Sequence, residues 1–378
     1  MRIDDHILRP KENNLTLTRL ILASAVIYTH SFYPGADVDD LTWLLGSPVS
    51  HYSVDGFFVL SGFLVYRSLV QNMSVKRFAL ARLTRLWPGL AVMLVLVTLA
   101  GAFVTQAAPA QYFTGSATLK FLFSNASLTF GYYSLTGIQC GDAPCNINGS
   151  LWTLPWEARC YVLLASLAAL GLAGRRAMCF FVLPATFAFA ILFDIPVIHS
   201  TLANLLGTHI YYLDQIDRLW TAFAIGIAIY EFRHRIPLSW WLLALLFCLN
   251  VAIQRWLPLA GTHARAVFIA YAALCVGFLS ARRGSLSGNW PDYSYGMYIY
   301  AFPVMITLLA LFRFPSTYLL ALCNLVLTVP FAAASWHFVE KPALDWLRRR
   351  QRTAFAAKTE PDAEPDPDPA AALPRAAS

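Results

Sequence analysis

Apolar runs of about twenty residues recur along the chain, at 15–33, 51–70, 87–106, 152–172, 178–195, 214–231, 238–256, 264–280, 293–312 and 317–338. A helix of that length spans the ~30 Å hydrocarbon core of a bilayer. Lipid accepts only structures that satisfy their own backbone hydrogen bonds. The pattern predicts an all-α polytopic membrane protein, a single bundle of about ten transmembrane helices. Composition agrees, with 58% of the 378 residues hydrophobic and 13% charged, against about a quarter charged in soluble domains.

The basic residues punctuate these runs in alternation. Lys76, Arg77, Arg82 and Arg85 follow the second run, Arg175 and Arg176 the fourth, and Arg233 and Arg235 the sixth. Arg282 and Arg283 follow the eighth, and Lys341, Arg348, Arg349 and Arg350 the tenth. The stretch 34–50 has no Lys or Arg and carries Asp37, Asp39 and Asp40. By the positive-inside rule both termini are expected in the cytoplasm. The net charge of +7 is explained by this topology and gives no reason to expect nucleic acid. The polar start MRIDDHILRPKENN is too long for a cleavable signal, and EPDAEPDPDPAAALP near the end has the composition of disorder. The expected division is 1–14 as a cytoplasmic segment, 15–342 as the membrane domain and 343–378 as a largely disordered cytoplasmic tail.

The stretch 107–151 is apolar, aromatic and polar-interrupted, which predicts an interfacial or re-entrant piece packed on the bundle. Asn125 and Asn148 each open an N-x-S triplet, a coincidence in a bacterial protein. Five of the seven cysteines lie inside apolar runs and read as small core residues. Cys140 and Cys145, in QCGDAPCN, suit a disulfide if the loop faces an oxidising compartment. No second Cys or His pair stands beside them, so no metal is expected.

Chemistry-bearing side chains concentrate in the first half of the chain. Arg19 and His30 interrupt the first run eleven residues apart, which on a helix is three turns plus about 20° and ~16 Å along the axis. They share a face, and an ionisable group at bilayer depth costs at least ~2.5–3.5 kcal/mol. A polar contact between helices accounts for the pair equally well on its own. Asp55 opens the next run in VDGFFVLSGFLVY, at the end expected beside His30. Arg82 and Arg85 share a helix face at i, i+3 in FALARLTRLWP, where a topological anchor is the simpler role. Trp152 and Glu157 start the fourth run in NGSLWTLPWE.

In this order the pieces resemble the acyltransferase-3 family of integral membrane proteins, which O-acylate extracytoplasmic carbohydrates. The resemblance covers Asn13 to Pro342 through Arg19-x10-His30, VDGFFVLSGFL at 54–64, and the Phe78, Arg82, Arg85, Pro88 pattern. It continues through NGSLWTLPWE at 148–157, SYGMYIYAFPV at 294–304 and EKP at 340–342. The chain departs from the family at Ala81, where a further Arg is common, and at Ala301 and Phe302, where many members carry a His before the proline. Arg159 stands where apolar or aromatic residues are usual, and no soluble esterase-like domain is expected to be appended.

The resemblance implies a ten-span acyltransferase core using acyl-coenzyme A, usually acetyl-coenzyme A, in the bacterial cytoplasmic (inner) membrane. The acceptor would be lipopolysaccharide, exopolysaccharide or another glycan or glycolipid. His30 is then expected as general base and Asp55 as the acid that orients it. Arg19, Arg82 and Arg85 are expected to bind coenzyme A phosphates, and Trp152 and Glu157 the sugar. Direct transfer and an acyl-His intermediate both remain open. The competing reading is a carbohydrate permease or flippase, since intramembrane Arg, His and Asp also mark transport pathways. Against it, the chain shows no two-fold repeat. A third is a structural subunit of a polysaccharide-export complex.

Overall fold

The computed structural model describes residues 3–9, 11–32, 40–72 and 74–359. Asp37 and Asp39 of the acidic stretch, and the tail beyond 359, lie outside the described residues. The protein is mostly helical. Helices cover every apolar run: α1 Leu15–Ser31, α2 Val49–Asn72, α3 Val75–Gly101, α4 Thr153–Ala169 and α5 Arg175–Phe193. They continue as α6 210–232, α7 Trp240–Trp256, α8 Pro258–Arg283, α9 Ser294–Leu311 and α10 317–359. Six of these, α2, α3, α5, α8, α9 and α10, contain stretches long and apolar enough to cross a membrane. Helices α1, α4 and α7 are shorter, at 17 residues each, and α6 carries Asp214, Asp217, Arg218 and Glu231. π-helical turns interrupt α5, α6, α8 and α10 at 178–182, 216–220, 275–279 and 336–340.

Two boundaries differ from the apolar runs. Helix α3 starts at Val75 rather than near residue 87, because Ser74 caps it by accepting from the Arg77 backbone N–H. Phe78 and Leu86 of the added turns are buried. This charged stretch is thus an amphipathic extension of the helix, and it carries Arg82 and Arg85 well inside α3. At the other end α10 runs on to Thr359, so the first part of the segment read as a tail is helical.

Helix α2 is the hub, packed against α1, α6 and α8. Its contact with α6 is backbone on backbone. A Cβ on Gly62 would collide with the Phe223 carbonyl, and one on Gly226 with the Val59 carbonyl. Small residues let helices approach this closely. Gly62→Val is therefore expected to separate α2 from α6 and to leave little monodisperse protein after detergent extraction, measured against wild type by size-exclusion chromatography. A normal yield would mean that the two backbones are not locked together.

Asn14 holds the start of α1. Its backbone N–H donates to Gly277 O at 2.7 Å, and its Oδ1 accepts from the backbone N–H groups of Leu286 and Ser287. This fixes Arg19, one turn further on, beside the loop that leads into α9.

Between α3 and α4, helix Pro109–Thr114 leads into helix Ser116–Ala126, which lies along α3. Tyr112 and Phe121 are buried against the bundle, and the Tyr112 hydroxyl donates to Thr98 O. Phe113 and Phe123 face outward. A hairpin follows, β1 Gln139–Cys140 paired antiparallel with β2 Ala143–Pro144, and Cys140 and Cys145 are joined as a disulfide. Asn125 and Asn148 are both buried and donate to backbone carbonyls, Asn125 to Phe121 O and Tyr132 O, Asn148 to Ile299 O. Arg159 donates to Thr129 O and stacks 4.3 Å over Trp156, which ties the 127–130 turn to α4.

Candidate active site

The charged residues picked out in the first half of the chain fall into three neighbourhoods. The first is a cavity between α1, α2, α3, α4 and α9, lined by Arg19, Arg82, Arg85, Ser61, Glu157 and Tyr298 among others. Its volume of about 120 Å³ is below the ~300–1,000 Å³ of pockets that enclose whole ligands. A slender chain fits it, whereas a nucleotide does not.

The three arginines differ in what they already hold. Arg85 donates to Glu340 Oε2 at 3.1 Å and to Asp292 Oδ2 at 2.8 Å, and its guanidinium stacks on Tyr295 and Trp336. Arg19 lies 3.2 Å from the same Asp292 oxygen. Burial by itself would raise the Asp292 carboxyl. Arg19, Arg85 and hydrogen bonds from Ser294 outweigh it and hold the group at about 2, so it stays ionised. Arg82 makes no ion pair among the described residues, and its buried Nε has no hydrogen-bond partner. Of the three guanidiniums, Arg82 is the one whose charge is uncommitted.

Glu157 sits in this cavity too. Its Oε1 accepts from Ser61 Oγ at 3.0 Å and from the Tyr161 hydroxyl. The sequence paired Glu157 with Trp152 on an acceptor side, but the fold separates them. Glu157 shares a chamber with the arginines, while Trp152 packs 5.9 Å from the Arg218 guanidinium.

The second neighbourhood is centred on Asp55, whose side chain is fully buried. Arg218 Nε donates to its Oδ1 at 2.9 Å and Arg265 Nε to its Oδ2 at 2.7 Å. Arg218 also donates to His51 O and Arg265 to Ser47 Oγ, closing a network between α2, α6 and α8. No hydrogen bond joins Asp55 to His30 among the described residues. The geometry of α2 explains this. Gly56 faces the seam between α1 and α8, where an added Cβ would meet Leu22 at 3.0 Å and Ile269 at 3.1 Å. Asp55 lies about 100° around the helix from it and faces α6 and α8. His30 stands eight residues beyond Leu22 on α1, about 12 Å further along the axis.

His30 forms the third neighbourhood. Its half-buried ring packs edge-on against Phe302, with centroids 5.5 Å apart. No hydrogen bond or ion pair reaches it among the described residues. Tyr298 lines the cavity, and Phe302 lies one helical turn further on the same face of α9. His30 is thus placed one turn beyond the cavity, on the side away from Asp292. The 146–150 segment closes over this point, since a Cβ on Gly149 would meet Phe302 at 3.1 Å. Three buried oxygens of that segment, Asn146 Oδ1, Asn148 Oδ1 and Ser150 Oγ, have no hydrogen-bond partner among the described residues.

Sequence reasoning missed Arg218, Arg265, Asp292 and the partner of Glu340. A signal existed for the first two, since a guanidinium inside a predicted span is costly without a counter-charge. Only the fold brings Asp55 to meet them.

A family model described as an acyltransferase domain, that of the acyltransferase-3 family, matches residues 12–337. The chain belongs to the acyltransferase-3 family. As a member it is a multi-pass membrane acyltransferase, which sets the permease alternative aside. It is 27% identical over 376 residues to nodulation protein 10 of Rhizobium leguminosarum bv. viciae, covering 92% of this chain and 95% of that one. It is also 25% identical over 337 residues to an O-acetyl transferase of Shigella phage Sf6, covering 88% and 96% respectively. No solved structure matches.

Proposed function

We propose that this acyltransferase moves an acyl group, acetyl by preference, from acyl-coenzyme A to a hydroxyl of an extracytoplasmic carbohydrate, in the bacterial cytoplasmic membrane. The observation that carries the reading is the intramembrane cavity lined by Arg19, Arg82 and Arg85, with the unengaged His30 ring one turn beyond it. The similarity to an O-acetyl transferase supports an oxygen acceptor and an acetyl donor. In this reading all ten helices cross the bilayer with both termini inside, and the Cys140–Cys145 hairpin faces the oxidising side.

The coenzyme nucleotide stays at the cytoplasmic mouth, where Arg82 takes a phosphate oxygen. Arg19 and Arg85, already shared with Asp292 and Glu340, mainly shape the entrance. The pantetheine arm fills the narrow cavity and brings the thioester toward His30. An imidazole nitrogen of His30 takes the proton of the sugar hydroxyl as its oxygen attacks the thioester carbonyl. The tetrahedral intermediate then collapses with breakage of the C–S bond, and the imidazolium returns its proton to the departing thiolate. The products are the acylated sugar and free coenzyme A. With both carboxylate oxygens of Asp55 held by arginines, Asp55 supports the bundle beside this path rather than orienting His30.

The test supplies labelled acetyl-coenzyme A to inverted membrane vesicles containing the protein and a bacterial glycolipid fraction. Label is expected in the glycan, and its absence across a panel of donors and glycans would refute the reading. In the same assay Arg82→Ala is expected to weaken donor binding roughly tenfold to hundredfold, the worth of one charge-assisted contact of ~1.5–3 kcal/mol, at normal protein level. Arg85→Ala is expected instead to lower the yield of folded protein, because it strips the counter-charge from Glu340, which is 1% exposed. Unchanged donor KM in Arg82→Ala would remove the phosphate role.

A further inference from the structure

A second polar cluster lies apart from the cavity, where the loops after α5 and α7 meet the start of α6. Asp194 follows the last residue of α5, Asp217 sits in the π-helical turn of α6, and His263 lies in the first turn of the 261–274 helix of α8. His263 Nε2 is 3.0 Å from Asp194 Oδ2 and 3.5 Å from Asp217 Oδ2, and the three donor atoms all lie within 4.8 Å of one another. Single π turns of this kind recur at functional sites.

Two features mark this as more than a charged surface. The Asp217 side chain is only 7% exposed, and its Oδ1 has no hydrogen-bond partner among the described residues. The His263 Nε2 is buried and, despite its distance from Asp194, makes no hydrogen bond of acceptable angle. One carboxylate oxygen each from Asp194 and Asp217 and the Nε2 of His263 thus gather within 4.8 Å of one another. Arg218, next in sequence to Asp217, is spent on Asp55, so His263 alone faces the two carboxylates in this cluster. A carboxylate as buried as Asp217 calls for a positive charge beside it.

We propose that Asp194 Oδ2, Asp217 Oδ2 and His263 Nε2 bind one divalent transition-metal cation, Mn²⁺ or Zn²⁺. One imidazole nitrogen and two carboxylate oxygens form a donor set suited to these ions. Bonds of ~2.0–2.2 Å in a tetrahedral arrangement put ligand atoms about 3.4 Å apart, close to the two separations at His263. Partial exposure of Asp194 and His263, 29% and 23%, leaves an entry path and room for water to complete the shell. The ion staples the end of α5, the π turn of α6 and the start of α8. Because Asp217 and Arg218 are consecutive, it also fixes the backbone that aims Arg218 at Asp55. Its role is positioning. This replaces the expectation from sequence that the chain holds no metal, an expectation drawn from the lack of Cys and His pairs around Cys140.

The experiment is calorimetric titration of Mn²⁺, and separately Zn²⁺, into the full chain in detergent after treatment with EDTA, with metal content of the untreated protein read by plasma mass spectrometry. One equivalent is expected to bind wild type and to raise its unfolding temperature. Asp217→Asn and His263→Gln are each expected to weaken binding by at least ~100-fold, the upper end of what even outer-shell changes cost. His199→Ala is expected to bind as wild type, because His199 has its own partner, Asp214, at 3.0 Å. The proposal falls if wild type takes up neither ion, a result that needs no variant to fold. It falls equally if Asp217→Asn and His263→Gln bind as wild type does.

Discussion

Replacing His30 by alanine is expected to abolish acyl transfer while the protein inserts and folds as before. Removal of a general base costs roughly 10²–10⁴-fold in rate, and removal of a nucleophile costs more. The change is local: among the described residues the ring touches Phe302, makes no hydrogen bond and is half-buried, so no network collapses with it. Turnover measured with labelled acetyl-coenzyme A in vesicles, normalised to protein extracted, reads the effect directly. Turnover within a few-fold of wild type would refute both the base and the acyl-His routes. Trapping labelled protein on a short time scale separates the two, since only the acyl-His route leaves label on the chain.

Asp55→Asn is expected to fail earlier, in folding. The substitution keeps the shape of the side chain and removes the charge that Arg218 and Arg265 both face at under 3 Å. Breaking a buried ion pair from one side costs ~3–5 kcal/mol, comparable with the whole stability of many domains. A low yield of monodisperse protein, with residual transfer per folded molecule near wild type, is the expected pattern. The alternative drawn from sequence, an acid orienting His30, predicts the reverse. In that case Asp55→Asn would fold at normal yield and lose rate by several orders of magnitude. Purification yield and specific activity, measured together, decide between them.

The contrast between His30 and Asp55 shows how far a sequence can be read. The Arg19–His30 spacing is a property of one helix, and α1 keeps it: Arg19 meets Asp292 and His30 meets Phe302 toward opposite ends of the same element. Arg82 and Arg85, i and i+3 on α3, likewise both line the cavity. Nearness in topology suggests Asp55 beside His30, but a difference of one residue turns a helical side chain by about 100°, and Asp55 is held by Arg218 and Arg265. Gly56 packs against Leu22 of α1 and Ile269 of α8. Trp152 and Glu157 look alike in the sequence because both open the fourth run. Five residues of helix put Glu157 in the arginine chamber and left Trp152 beside Arg218.

What the sequence determined by itself is what local periodicity and transfer energy dictate. It specified a helical membrane bundle, the segments that become helices, the shared face of Arg19 and His30, and the family, since ordered motifs survive without knowledge of contacts. The tertiary structure alone decided which charges neutralise which. Asp55 with Arg218 and Arg265, and Arg85 with Asp292 and Glu340, each join elements far apart in the chain. In a low-dielectric interior a charge must find a counter-charge within a few ångströms. Which one it finds depends on how helices rotate and pack, and no single helix carries that information.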